Sequence, residues 1–198
     1  MADPAVLTFR DATAADADAV ADLLTLSWQD AYAVLLPALL LQERLPTLHR
    51  EMWRRHFAAP RPGIVLLAEA PDGLRGFCAV WLDGAEAYVD NLHLRPGLRG
   101  AGLGRALLGR AVAGVMAQGA TRAALTIIEG NDGALRFYER LGGVAGAGYD
   151  AVLHDVGTRY QRVAWADAGA LVAACEVGGA NGRKIGGALP LQATPPKA

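Results

Sequence analysis

Lysine is almost absent from this chain: of 19 basic residues all are arginine except Lys184 and Lys197, both near the C-terminal end. Beside so much alanine and glycine, that bias resembles coding preference and carries no function. Cysteine is scarce too. Cys78 and Cys175 stand far apart with neither metal-ligand spacing nor a disulfide framework, which leaves two reduced, partly buried thiols. An excess of either charge is missing, with a net charge of -1 and a pI of about 6.4. No global field therefore draws the protein to nucleic acid or anionic lipid. Long apolar runs are missing as well: "VLLPALLL" (34–41) is far short of the roughly 20 residues of a membrane helix, and Pro37 interrupts it. The acidic opening "MADPAVLTFRDATAADAD" lacks the basic-then-apolar pattern of a secretion signal, so a cytoplasmic, non-membrane protein is expected.

What is present is enough for one core. The chain has 198 residues and 53% hydrophobic composition. "AVLTFRDA" (5–12) alternates as a first strand. Thr13 and Asp16 form a T-x-x-D helix start, followed by Val20, Leu23, Leu24, Ser27 and Trp28 on one face and a stop at Pro37. A second helical region spans 37–57, with a break expected at Pro46. Segments 63–70, 75–83 and 86–94 are joined by short turns and predict an antiparallel meander. A helix over 102–118, a buried strand over 123–129 and a helix capped by Asn131 and stopped by Gly142 then imply a parallel crossover. A closing hairpin lies near "GYDAVLH" and "RYQRVAWA". The expected domain is 1–166, with a loosely held Ala/Gly/Pro-rich tail over 167–198.

The most informative stretch is "LRPGLRGAGLGRALL" (94–108), where Gly97, Gly100, Gly102 and Gly104 precede a helix. Glycine costs a helix about 1 kcal/mol relative to alanine, so the cluster needs a local reason. The dinucleotide fingerprint G-x-G-x-x-G fails because Leu107 holds the third glycine position. The G-x-x-x-x-G-K-[ST] loop fails for want of lysine. What remains is R-x-x-G-x-G from Arg99 through Gly102 to Gly104, in which consecutive N–H groups and a helix N-terminus hold an anion such as a diphosphate.

"RGAGLG" within "DNLHLRPGLRGAGLG", followed by Asn131, Ala134, Phe137, Tyr138 and Gly142 in N-x-x-A-x-x-F-Y-x-x-x-G, resembles the GNAT superfamily of acyl-CoA-dependent N-acetyltransferases. Gly143 departs from the pattern, since an aromatic residue is usual there. "SWQDAYAVLLP" (27–37) and Trp53 resemble one bacterial subgroup, so the likeness covers about 5–166. The resemblance implies an α+β fold with a central, mostly antiparallel twisted sheet of about six or seven strands, flanked by helices and splayed between strands 4 and 5. It implies acetyl-CoA (coenzyme A) as cofactor and a small-molecule or peptide amine as acceptor, with a homodimer left open and no metal. It places the pantetheine against the backbone near Leu92 and Leu94, with an N–H presented to the thioester oxygen. The diphosphate falls on the amides of Arg99, Gly100, Ala101, Gly102, Leu103, Gly104 and Arg105, and Asn131 bonds the cofactor arm.

Tyr138 is, by the same likeness, the acid for the coenzyme's sulfur, although the helix pattern alone makes it a core residue. Strict alternation along 86–95 puts Tyr88, Asp90, Leu92 and Leu94 on one face and Val89, Asn91, His93 and Arg95 on the other. Asp90 is the expected base, or a carboxylate that orients the substrate ammonium or bonds a loop. His93 is the alternative base, or structural. Trp28, Tyr32, Tyr88 and Trp53 are candidates for the acceptor pocket, against an ordinary core role. A CoA-binding sensor that lacks catalysis is the competing class.

Overall fold

The computed structural model describes residues 7–177. Seven strands form one sheet: β1 (Thr8–Asp11), β2 (Gly63–Ala70), β3 (Gly73–Asp83), β4 (Glu86–Leu94), β5 (Arg122–Ile128), β6 (Val144–Leu153) and β7 (Val156–Trp165). The spatial order is β1-β2-β3-β4-β5-β7-β6, and every pairing is antiparallel except β4 with β5. The expected meander, crossover and closing hairpin are all present.

Five α-helices cover the sheet: α1 (Ala17–Ala31), α2 (Leu45–Ala58), α3 (Leu103–Met116), α4 (Asp132–Glu139) and α5 (Ala168–Val177). The T-x-x-D start works as expected, since the Thr13 N–H donates to Asp16 Oδ2 at 2.8 Å. α1 ends at Ala31, ahead of Pro37, and a π-helical turn at Leu40–Arg44 then runs into α2. Pro46 does not break this region. It sits in the first turn of α2, where its missing N–H costs nothing.

Two large cores form, one on each face of the sheet, and a smaller cluster of Leu36, Leu40, Leu41 and Leu45 packs on Ile128. On one face α3 and α5 bury Leu107, Leu108, Val112 and Leu171 against Cys78, Val80, Val89 and Leu125. Each such leucine contributes about 1.5–3 kcal/mol. On the other, α1 and α2 bury Val20, Leu24 and Trp53 against Leu67, Phe77 and Ala79.

One local expectation is corrected and one departure explained. Residues from 167 on were read as a loose tail, but 168–177 form α5: Leu171 is fully buried, and Cys175 packs where Gly109 of α3 leaves no room for a Cβ (2.7 Å). An Ala-rich segment has little polar contrast to announce a packed face. The rest of the expected tail, 178–198, lies outside the described residues. The departure at Gly143 also has a cause. A Cβ there would meet Val163 Cγ1 at 2.6 Å and Trp165 Cζ2 at 2.7 Å, so those side chains fill the space. Trp165 is pinned by its indole N–H donating to the Leu141 carbonyl at 2.9 Å.

Candidate active site

The site begins where the sheet comes apart. β4 pairs with β5 only from Glu86–Arg122 to Val89–Leu125, although β4 continues to Leu94 and β5 to Ile128. At the same point β4 carries a bulge: Val80 of β3 faces Val89 but Ala79 faces Asn91, so Asp90 is the extra residue. The bulge overturns the strict alternation. Val89 lies on the α3 face, and Leu92 and Leu94, one register later, pack on that same face, whereas His93 stacks on Phe77 toward α1 and α2. Asp90 and Leu92 therefore do not share a face by simple alternation, because one inserted residue reverses the period of two.

A cleft of about 1340 Å³ opens along this seam. Drug-sized ligand sites run to roughly 1,000 Å³, so two substrates fit more naturally than one. At one end Gly100 and Gly102 take φ of +87° and +84°, a left-handed backbone that side chains resist, and Gly102 caps α3. Gly104 is the telling one, since it is helical and has no strained φ. A Cβ there would make only ordinary contacts, at 3.7 Å to Leu94 and 4.0 Å to Phe137, so the protein's own packing does not require glycine. Its absent side chain leaves the α3 amide end open to the cleft, as a backbone-held anion needs. Arg99, Arg105 and Arg140 also line the cleft. Arg99 ties the loop to α1 through Asp30 at 2.8 Å.

The opposite wall comes from β5, α4 and the β6–β7 hairpin. Asn131 caps α4 by accepting from the Ala134 N–H at 3.2 Å, and Tyr32 lines the same cleft. Tyr138 is buried against Trp165 and Phe137. Burial, followed by the nearby Cys78 and Tyr32, holds its phenol well above the ordinary range, so the O–H stays protonated. His93 accepts or donates at Nδ1 to Ser27 Oγ at 3.0 Å, and burial, with the neighbouring His49 and Arg99, lowers its pKa to about 3. His49 pairs through Nδ1 with Thr25 Oγ1 at 2.9 Å, and burial lowers it to about 4. Both imidazoles are neutral at pH 7. Asp90 is partly exposed, accepts from Asn91 Nδ2 at 2.9 Å and stands 3.9 Å from Arg61.

Most of the residues singled out in the sequence meet here. Trp28, Tyr32, Tyr88, Asp90, Leu92, His93, Leu94, Arg99, Gly100, Gly102, Gly104, Arg105, Asn131 and Tyr138 all line the cleft. Ala101 and Leu103 do not, since Ala101 faces outward and Leu103 is buried under α3. For Trp53 the core alternative holds: it is 1% exposed inside the α1–α2 core and takes no part in the cleft. Sequence reasoning missed His49, Thr126, Tyr149 and Tyr160 in the lining. No local motif marks them. Among the described residues no group of three or more His, Cys, Asp or Glu could hold a metal ion.

Comparison with known proteins agrees with this geometry. The sequence profile of the acetyltransferase (GNAT) family matches residues 20–143, more than half of the chain. The mycothiol acetyltransferase of Kineococcus radiotolerans is 46% identical over 85 residues, 41% of this chain, and the chain spans 26% of that relative's length. Among solved structures, the PaiA N-acetyltransferase of Thermoplasma acidophilum in complex with coenzyme A aligns with a TM-score of 0.63 at 16% identity, over 78% of this chain and 97% of that one. YncA of Salmonella typhimurium, solved with its cofactor acetyl-CoA, aligns with a TM-score of 0.58 at 20% identity, over 82% and 95%. At these identities the likeness is one of fold.

Proposed function

The chain belongs to the GNAT acetyltransferase family, and from that premise we propose that it transfers an acetyl group from acetyl-CoA to a primary amine by direct attack within a ternary complex. The observation that carries the proposal is the coincidence, in one cleft, of the gap between β4 and β5 with the glycine-capped start of α3. The gap leaves the inner edge of β4 beyond Val89 open to an extended arm, and backbone groups near Leu92 and Leu94 are placed to bond it. The amides of 99–105 hold the diphosphate, with Arg99, Arg105 and Arg140 adding charge. Asn131, held by its cap on the Ala134 N–H, bonds the arm from the other wall.

Acetyl-CoA supplies the acyl group as a thioester: a C–N bond forms, the C–S bond breaks, and the proton lost by the amine balances the one gained by the thiol. The chain's side chains manage those protons. An amine with a pKa of about 10 enters as ammonium and must be deprotonated before it can attack. Asp90, on the bulge at the point of splay, orients that ammonium and accepts its proton directly or through water. Tyr138, kept protonated by burial, is the donor on the opposite wall. The structures solved with coenzyme A and acetyl-CoA support the choice of cofactor.

The test couples calorimetry with coenzyme A to a thiol-release assay with acetyl-CoA over a panel of primary amines. Binding and amine-dependent thiol release are expected. Binding without release from any amine would replace this function by a CoA-sensing one, and absence of binding would remove both.

A further inference from the structure

All five tyrosines of the chain line this one cleft: Tyr32, Tyr88, Tyr138, Tyr149 and Tyr160. In a sequence with only 7% aromatic residues, that concentration needs an explanation. Tyr138 is absorbed by the chemistry above. The other four come from the end of α1, β4, β6 and β7, so no single helix stripe or strand face brings them together. Tyr149 and Tyr160 face each other across the hairpin with ring centroids 6.1 Å apart and planes 31° from parallel. Trp28 adds its edge to Tyr32 at 4.8 Å. Tyr88 packs beside the α1–α2 core and Tyr32 beside the Leu36 and Leu40 cluster, so these two rings present mainly their apolar bodies. Tyr149 is 48% exposed, which core packing alone would not favour for so large a ring.

The charge around these rings is equally specific. Among the described residues Asp90 is the single carboxylate in the cleft lining, and the three arginines that line it belong to the glycine loop, α3 and the end of α4. His49 stays neutral at pH 7. A polyamine or aminoglycoside would place several ammonium groups against one carboxylate and three cations. An amino acid would set its carboxylate close to that of Asp90, whose charge Arg61 at 3.9 Å already answers. Neither fits. A flat uncharged body with one primary amine fits both parts, with the ring among tyrosines and the ammonium on Asp90.

We infer that the acceptor is an arylalkylamine-like monoamine, its ring held by Tyr32, Tyr88, Tyr149 and Tyr160 and its ammonium by Asp90. This rests on the acetyltransfer reading given above. The test measures thiol release from acetyl-CoA with 2-phenylethylamine, propylamine, spermidine, kanamycin and phenylalanine. The expected kcat/KM for 2-phenylethylamine exceeds each of the others at least about tenfold, as loss of one well-packed ring usually costs. In Tyr149→Ala the ratio of phenylethylamine to propylamine falls about tenfold, and Tyr149→Phe restores it. A higher kcat/KM for spermidine, kanamycin or phenylalanine overturns this inference while leaving acetyltransfer standing. So does a ratio unmoved in Tyr149→Ala with its melting temperature and coenzyme A affinity retained. Release from none of the five and from no wider amine panel overturns acetyltransfer itself, and this inference with it.

Discussion

The two ends of the cleft are built by opposite means. The glycine end is made of consecutive backbone, from Arg99 to Arg105, and its working feature is the absence of side chains. The tyrosine end is made of side chains drawn from four elements separated by up to 128 positions, from Tyr32 to Tyr160. A site made of main chain offers only amide N–H groups, which suit an anion at a helix start. A site made of converging side chains can differ freely from one relative to the next. The difference also separates stability from affinity, and each of the following experiments works on that separation.

The largest effect is expected at Gly104. Alanine in a helix is favoured over glycine by up to about 1 kcal/mol, and the nearest atoms to the added Cβ are 3.7 Å away, so Gly104→Ala should raise the melting temperature. The same methyl intrudes on the diphosphate position, and coenzyme A affinity should fall about a hundredfold by calorimetry. Unchanged affinity would mean that this glycine serves no ligand.

Next is Tyr138→Phe, which removes one oxygen from a buried ring. Turnover should drop about tenfold to a hundredfold while coenzyme A affinity holds, because a positioned acid acts on the rate and not on cofactor capture. Full turnover in this variant would return Tyr138 to a packing role. With its folded-state pKa raised, the phenol favours folding below pH 10 and disfavours it as pH climbs beyond.

Asp90→Asn should lower kcat/KM for the amine about tenfold. It should leave stability within about 0.5 kcal/mol, since Asp90 is a partly exposed bulge residue with a long 3.9 Å ion pair. An equal loss of coenzyme A affinity would place Asp90 in cofactor binding instead.

The last effect concerns acid and leaves both ends of the cleft untouched at pH 7. His93 and His49 have folded-state pKa values of about 3 and about 4, below the usual 6.5, so the unfolded chain binds more protons between those limits. Stability should be constant above pH 6.5 and fall as pH drops toward 4, each histidine steepening the unfolding constant by up to about tenfold per pH unit. His49→Gln should remove one proton's worth of that slope in denaturant melts taken from pH 7 to 4. An unchanged slope would show that His49 is hydrated in solution.

How much could be read from the sequence follows the same division. The meander, the parallel crossover, the Asn131 cap and the glycine loop depend on neighbours in the chain, and each was legible from short local patterns taken in chain order. The Asp90 bulge was not, because alternation predicts a face only while the register holds, and nothing in "YVDNLHL" marks the inserted residue. Residue type left Trp53 open between pocket and core, and what decides its position is its packing on Phe77. Tyr149 and Tyr160 became visible only once the hairpin folded back over β5. α5 escaped because alanine and glycine carry little hydrophobic contrast, although Leu171 alone is worth a few kcal/mol when fully buried.

The most direct measurement is a crystal structure of the protein soaked with coenzyme A. The diphosphate should rest on the amides of residues 99–105, with the pantetheine lying in the gap that opens beyond Val89. A diphosphate bound elsewhere, with that gap empty, would contradict the account.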